Sequence, residues 1–307
     1  MGDRAVLLVA HGTVEDLDDL PAFLRNIRRG HEAPPELLAE TRRRYEVIGG
    51  RSPLLATTRA LAAKLEARVG APVRAGMRLW KPFVRDVLAE LAQDGARRVA
   101  VVPLAQYSTK VYGDFVRRAA KELAHEGGAQ LDLQVLGDWG GDLGLVALFS
   151  DLIRAAAAKL TDAERARTCL LVTAHSLPKA VIAAGDAYQA EFERGAWLVA
   201  DAVKDVLPEA RVGYQSEGAS GGEWLGPGLR ASLDAIAAEG RFDRVLVAPV
   251  GFLADHVETL YDLDVEARGF ARERGLELVR CALPNDSDAF ADVLAALARP
   301  LLEGGAS

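Results

Sequence analysis

A histidine ends one apolar run of this chain, and a series of acids follows another. His175 closes Cys169-Leu170-Leu171-Val172-Thr173-Ala174 and is followed by Ser176-Leu177-Pro178. Further on, Val245-Leu246-Val247-Ala248-Pro249-Val250-Gly251-Phe252 leads into Asp255-His256-Val257-Glu258. With a pKa near neutrality, an imidazole takes up protons or binds a metal in its neutral form. Asp262 and Glu266 follow Glu258 at i+4 and i+8, which on a helix sets three carboxylates in one row. Like charges so placed repel one another, and the row suits a site that attracts a divalent cation or relays protons. The same residues have a plainer reading. A histidine at a strand end is commonly a hydrogen-bonded structural group, and Asp255 with Glu258 has the D-x-x-E spacing of a capping pair. Asp264 falls off the row, so the segment is acidic in general. His256 turns about a hundred degrees per helical residue away from Glu258's direction and takes a supporting role or none.

The elements that must position these groups are strands and helices in alternation. Strands are expected at Ala5–Ala10, Val73–Met77, Arg98–Pro103, Gln130–Leu136, Cys169–Ala174, Val212–Gln215, Val245–Pro249 and Glu277–Cys281. Amphipathic stretches at Leu54–Arg68, Pro82–Asp94, Asp114–His125 and Ala187–Val206 lie between them. This order reads as α/β, with parallel sheets covered by helices on both faces. In such sheets the carboxyl ends of the strands face the ligand crevice, so His175 and the acids after Val245–Pro249 converge. Ser176 and Pro178 stop the strand, which turns the His175 ring towards that crevice.

An internal duplication runs through the chain. Leu7-Leu8-Val9-Ala10-His11-Gly12-Thr13 resembles Leu171-Val172-Thr173-Ala174-His175-Ser176-Leu177, and Ala100–Gln106 resembles Leu246–Phe252. Two similar halves are therefore expected, residues 1–150 and 151–307, with Trp139-Gly140-Gly141-Asp142 marking the turn between them. His11 mirrors His175, whereas His31 and His125 read as surface residues.

A net charge of −7 argues against general nucleic-acid binding. Arginines nevertheless cluster at Arg25, Arg28, Arg29 and at Arg42, Arg43, Arg44, either as a solvated helix face or to meet a carboxylate-bearing ligand. Cys169 and Cys281 are the only thiols, too few for a four-cysteine iron–sulfur cluster, which is not expected. No secretory signal or membrane-spanning run is visible, so a cytoplasmic location is expected. Neither G-x-G-x-x-G nor a P-loop is present, which points away from nucleotides. G-x-S-x-G and H-E-x-x-H are also missing, which sets aside serine and zinc hydrolysis. The stretch Tyr214-Gln215-Ser216-Glu217-Gly218-Ala219, then Trp224-Leu225-Gly226-Pro227, permits close backbone approach and offers a flat indole to a planar ligand; a packed loop is the plain alternative.

Taken together, Ala174-His175-Ser176-Leu177-Pro178, Gln215-Ser216-Glu217-Gly218, Trp224-Leu225-Gly226-Pro227 and the run from Pro249 to Asp262 resemble the ferrochelatase family. Tyr45-Glu46-Val47-Ile48-Gly49-Gly50-Arg51-Ser52-Pro53-Leu54 matches as well. The resemblance implies a chelatase-like fold of two flavodoxin-like (Rossmann-like) halves with a porphyrin cleft between them, and insertion of Fe²⁺ into a porphyrin. It places the catalytic histidine at His175 and the glutamate at Glu258, both also candidate metal ligands, with Asp262 and Glu266 as an acidic relay. Its porphyrin-binding positions fall on His11, Arg28, Arg29, Arg44, Ser52, Tyr107, Ser108, Tyr214, Ser216 and Trp224. His11 stands where the family often has tyrosine, and Tyr214 where tryptophan is common. No resident cofactor is implied: Fe²⁺ and the porphyrin are substrates, haem or coprohaem the product, and a monomer is expected.

The chemistry accounts for these residue types. One divalent ion replaces two pyrrole protons, so protons must be taken away. A bent macrocycle exposes its nitrogen lone pairs, the strain being offset by contacts to the rest of the ring. Either His175 and Glu258 accept the protons, or they bind Fe²⁺ and deliver it. The short Gly12–Pro53 segment resembles coproporphyrin-type enzymes, and the arginines would pair with propionates; Met77-Arg78-Leu79-Trp80-Lys81-Pro82 is similar to the protoporphyrin branch. A haem or porphyrin carrier is the alternative class, and it needs neither a proton acceptor nor an acidic row. A cobalt or nickel chelatase is the third reading.

Overall fold

Val6, Leu7, Leu8 and Val9 have no exposed surface, as expected of a strand buried on both faces of a parallel sheet. They belong to β1 (Arg4–Ala10), which pairs in parallel with β2 (Val73–Met77) and β3 (Arg98–Pro103); β4 (Asp132–Val135) pairs with β3. The order is β2-β1-β3-β4. A computed structural model describes residues 2–218 and 221–304; Met1, Ala219 of the glycine-containing stretch, Ser220 and residues 305–307 lie outside the described residues.

A second sheet repeats the first. It contains β5 (Thr168–His175), β6 (Ala210–Gln215), β7 (Arg244–Ala248) and β8 (Glu277–Arg280), in the order β6-β5-β7-β8 and again all parallel. Each order begins as the flavodoxin-like arrangement does, reversing direction between its first and third strands in sequence. In the second sheet that reversal lies between β5 and β7, the strands that precede His175 and the acidic segment.

The chain divides into two compact units, residues 1–139 with 285–307, and residues 140–284. The division falls directly after Trp139, at the glycine-rich turn. The last helix, Asp288–Glu303, groups with the first unit rather than with the residues that precede it. It starts from Ser287, whose hydroxyl accepts the Phe290 N–H at 3.2 Å, and Arg68 of helix Leu54–Val69 pairs with Asp288 at 3.0 Å. An apolar helix that finds its partners early in the chain is not visible from sequence order.

The eight strands agree with the sequence expectation to within about two residues, which is the usual uncertainty of element ends. Helix Thr109–His125 starts earlier than the expected Asp114 because the apolar face already begins at Thr109 and Tyr112, both buried. The larger difference follows β7. In place of one regular helix, a short α-turn, Val257–Leu260, runs into a π-turn, Asp262–Ala267, and then into helix Arg268–Glu273. Among the described residues, no helix is long and apolar enough to cross a membrane.

Candidate active site

His175 is the last residue of β5, and its ring is fixed by its own backbone surroundings. Nδ1 faces the Ser176 carbonyl, and Tyr188 donates its hydroxyl to the His175 carbonyl at 2.8 Å. A carbonyl oxygen only accepts, so Nδ1 carries the hydrogen and the lone pair of the neutral ring sits on Nε2. Nε2 lies 3.7 Å from Glu258 Oε1. Both side chains remain about one-third accessible, 33% and 36%. Burial alone would lower the His175 pKa, but the Glu258 carboxylate, the Ser176 carbonyl and Asp262 together outweigh it and raise the pKa above the ordinary value. The site therefore favours a proton on Nε2.

Glu258 is brought there by close packing. Gly251 donates its N–H to the Thr173 carbonyl at 3.0 Å, and a Cβ on Gly251 would lie 2.4 Å from the Ala174 Cβ. Only glycine lets the loop after β7 approach the residue before His175 this closely. The helical turn then starts from His256, whose Nδ1 accepts the Glu258 N–H at 3.1 Å, while Thr259 Oγ1 accepts the His256 N–H at 3.0 Å. The cap is thus His256 with Thr259, and the plainer reading of Asp255 with Glu258 as a capping pair does not hold. Asp255 instead accepts from Thr259 Oγ1 at 3.2 Å and pairs with Arg280 Nη1 at 3.0 Å. Burial lowers the His256 pKa and keeps that ring neutral, as an accepting Nδ1 requires.

The segment that carries the three acids is not one regular α-helix. A π-turn, marked by the Glu266 N–H bond to the Tyr261 carbonyl at 3.0 Å, carries Asp262 and Glu266, and the acids have different partners. Glu258 faces His175, Asp262 is buried and accepts from Ser216 Oγ, and Glu266 pairs with Arg230 at 2.8 Å. Asp264 takes two bonds from the Arg280 guanidinium, at 3.0 and 2.7 Å. Among the described residues, no group of three or more His, Cys, Asp or Glu side chains is arranged to hold a metal ion.

The Gln-Ser-Glu-Gly stretch acts on this site from behind. Gln215 ends β6 beside His175 in register, and its side chain donates to the Glu258 carbonyl at 3.3 Å. Ser216, with a left-handed φ of 57°, holds Asp262. Tyr214 differs from its sequence expectation. It is 1% exposed, packs edge-on against Phe192, and donates its hydroxyl to Glu193 at 2.9 Å, so no ring face remains for a ligand. Trp224 is half-buried, and a Cβ on Gly218 would lie 2.8 Å from its Cη2.

The remaining positions lie in the first unit. His11 follows β1, is exposed, and sits with Nδ1 3.2 Å from the buried Tyr112 hydroxyl. Ser52 and Tyr107 are buried, and Ser108 is half-buried where helix Thr109–His125 begins. Arg28 donates to the Glu32 carbonyl at 3.2 Å, and Arg29 is exposed with a φ of 56°. Arg44 bonds Glu40 at 2.9 Å; with Arg43 beside it, hydrogen bonding holds the Glu40 pKa down to about 2.

Residues 3–301 match the ferrochelatase family model. The chain belongs to the ferrochelatase family. A relative named ferrochelatase, from Acidobacterium capsulatum, is 36% identical over 313 residues, spanning 97% of this chain and 94% of its own. Another, named coproporphyrin III ferrochelatase, from Oceanobacillus iheyensis, is 34% identical over 298 residues, 94% of each chain. In fold the chain is similar to the sirohydrochlorin chelatase SirB from Bacillus subtilis, described in complex with cobalt. The TM-score is 0.57 at 12% identity, over 99% of this chain and 97% of that one.

For a ferrochelatase-family chain, the second unit supplies a lone pair aimed at a carboxylate, an arrangement that can accept a proton and stabilise the resulting imidazolium. Reading the sequence alone missed Tyr112, Thr173, Tyr188 and Arg280, and it undervalued His256. Thr173 lies two residues before His175 on the same strand, and Gln215 faces His175 from the neighbouring one.

Proposed function

We propose that this chain inserts Fe²⁺ into coproporphyrin III, with the His175–Glu258 pair taking up the protons released from the pyrrole nitrogens. The observation that carries the reading is the fixed tautomer: Nδ1 is committed to the Ser176 carbonyl, and the lone pair on Nε2 lies beside Glu258. Insertion converts two N–H groups and one Fe²⁺ into an iron porphyrin and two protons. Nε2 takes one proton as a pyrrole N–H bond breaks and leaves its electron pair on the pyrrole nitrogen for the iron, and the imidazolium is balanced by the Glu258 carboxylate. Transfer to solvent, to which both side chains are partly open, frees Nε2 for the second. The scheme needs no resident cofactor, because Fe²⁺ enters as substrate.

Coproporphyrin III is favoured over protoporphyrin IX by the short segment ahead of Ser52 and by relatives that bear the coproporphyrin III name. Arg28, Arg29 and Arg44 are the proposed partners of its propionates. An anaerobic insertion assay with each porphyrin and Fe²⁺ tests this. Faster turnover of coproporphyrin III is expected; equal or faster turnover of protoporphyrin IX removes the substrate assignment, and turnover of neither removes the activity.

A further inference from the structure

The first turn after β7 is only four residues long, and a helix that short is held by its surroundings rather than by its own hydrogen bonds. Glu258 lies within it, so something outside the turn must fix the carboxylate relative to His175. Both backbone groups of Glu258 are occupied from outside. Its N–H goes to His256 Nδ1 at 3.1 Å, and its carbonyl accepts from Gln215 Nε2 at 3.3 Å.

Gln215 also belongs to the strand next to His175. It pairs with His175 in the parallel register, and its main-chain carbonyl accepts the Ser176 N–H at 2.7 Å. Its amide can point only one way. The Glu258 carbonyl accepts and cannot donate, so the amide NH₂ faces it, and the amide oxygen is left for the Thr173 hydroxyl at 2.7 Å. Gln215 is 2% exposed and Thr173 is fully buried, so neither bond competes with water. We propose that Gln215 is a positioning residue for the reaction: by joining the His175 strand to the Glu258 carbonyl, with Thr173 orienting its amide, it sets the separation of Nε2 and the carboxylate. The inference rests on the function proposed above for the pair, and it adds to it a residue that touches neither porphyrin nor iron.

Proton transfer is steep in distance, and a displacement of about 1 Å can cost on the order of a hundredfold in rate. Gln215→Met keeps the length and volume of the side chain and removes both polar ends. A role in packing alone would survive it. The expected result is a fall in kcat of roughly ten- to a hundredfold, with KM for the porphyrin unchanged, and a lowered thermal midpoint because the buried Thr173 hydroxyl loses its partner. In a crystal structure of the variant, the Nε2–Oε1 separation should exceed the present 3.7 Å.

Thr173 supplies a second arm. Thr173→Val removes the hydroxyl and should lower kcat in the same direction, whereas Thr173→Ser retains it and should restore wild-type turnover. A Gln215→Met protein that keeps the separation, or loses it yet turns over like wild type, overturns the proposal. So does a Thr173→Ser protein no better than Thr173→Val. If the wild-type chain inserts no iron, the functional reading falls by itself, and the measured separation in the variant still decides whether Gln215 positions Glu258.

Discussion

Tyr112 occupies in the first unit the place that Glu258 occupies in the second. Each lies nine residues beyond the proline at the end of the third strand of its sheet, Pro103 and Pro249, at the start of the helix that follows. Each faces the histidine that ends or directly follows the first strand. His11 Nδ1 is 3.2 Å from the Tyr112 hydroxyl, and His175 Nε2 is 3.7 Å from Glu258. The duplicated sheets thus carry the same pair of positions with different chemistry, imidazole with phenol and imidazole with carboxylate.

A phenol has an ordinary pKa of about 10 and stays neutral where a carboxylate is charged, so Tyr112 cannot stabilise an imidazolium as Glu258 can. Tyr112→Phe should therefore lower kcat for iron insertion by less than about fivefold, whereas Glu258→Gln should cost about a hundredfold or more. Steady-state kinetics of both variants under anaerobic conditions compare the two directly. Equal losses would mean that the first unit shares the proton chemistry.

The pH dependence follows from the His175 pKa. Burial opposes the charged ring, but Glu258, the Ser176 carbonyl and Asp262 together raise the pKa above 6.5. The basic form accepts the proton, so kcat/KM should rise with pH through a midpoint above 6.5. In Glu258→Gln the largest of the raising influences is gone, burial prevails, and the residual activity should show a lower midpoint. The same shift affects stability. Protonated His175 adds stability in full below the ordinary value, and this is lost as pH rises through the raised folded value. His175→Ala should accordingly cost more stability below pH 6.5 than above the raised folded value, read by urea titration at each pH.

How much of this was legible in sequence differs from residue to residue. The strand ends were, because Val and Leu runs that stop at His175 or Pro249 admit few other readings. The duplication was as well, down to the pairing of His11 with His175. The π-turn was not, since it leaves no mark on residue spacing, nor were the partners of Asp262, Asp264 and Glu266, which come from other segments at Ser216, Arg280 and Arg230. Tyr214 was misplaced for a related reason. The family resemblance implied a porphyrin contact there, and its core partner, Phe192, is not visible in the sequence.

Arg280 is 12% exposed and joins Asp255, ahead of the Glu258 turn, to Asp264 within the π-turn. Replacing it by methionine removes the cation between two carboxylates that are themselves largely covered, at 21% and 25% exposed, and leaves Arg268 at 3.6 Å from Asp264 and the Thr259 hydroxyl at 3.2 Å from Asp255. Removing one member of a buried group costs about 3 kcal/mol when the remaining charge has no compensation, and less when other partners remain. Arg280→Met should lose at most about 3 kcal/mol in urea denaturation, and Arg280→Met with Asp264→Asn should recover part of it. A double variant less stable than the single one would show that Asp264 draws its stabilisation from elsewhere.

Gly251→Ala tests the contact that brings the Glu258 loop against the His175 strand. The new methyl would lie 2.4 Å from the Ala174 Cβ and 2.5 Å from its Cα, so one of the two segments must move. Overpacking of this kind costs about 1–3 kcal/mol, and the displaced loop carries Glu258 with it. The expected outcome is a lower denaturation midpoint together with a fall in kcat. Adding Ala174→Gly removes the Cβ contact but leaves the backbone Cα at 2.5 Å, so only partial recovery should follow. Full recovery in the double variant would mean that side-chain crowding alone holds the loop in place. A Gly251→Ala protein as stable and active as wild type would show that the close approach is not needed.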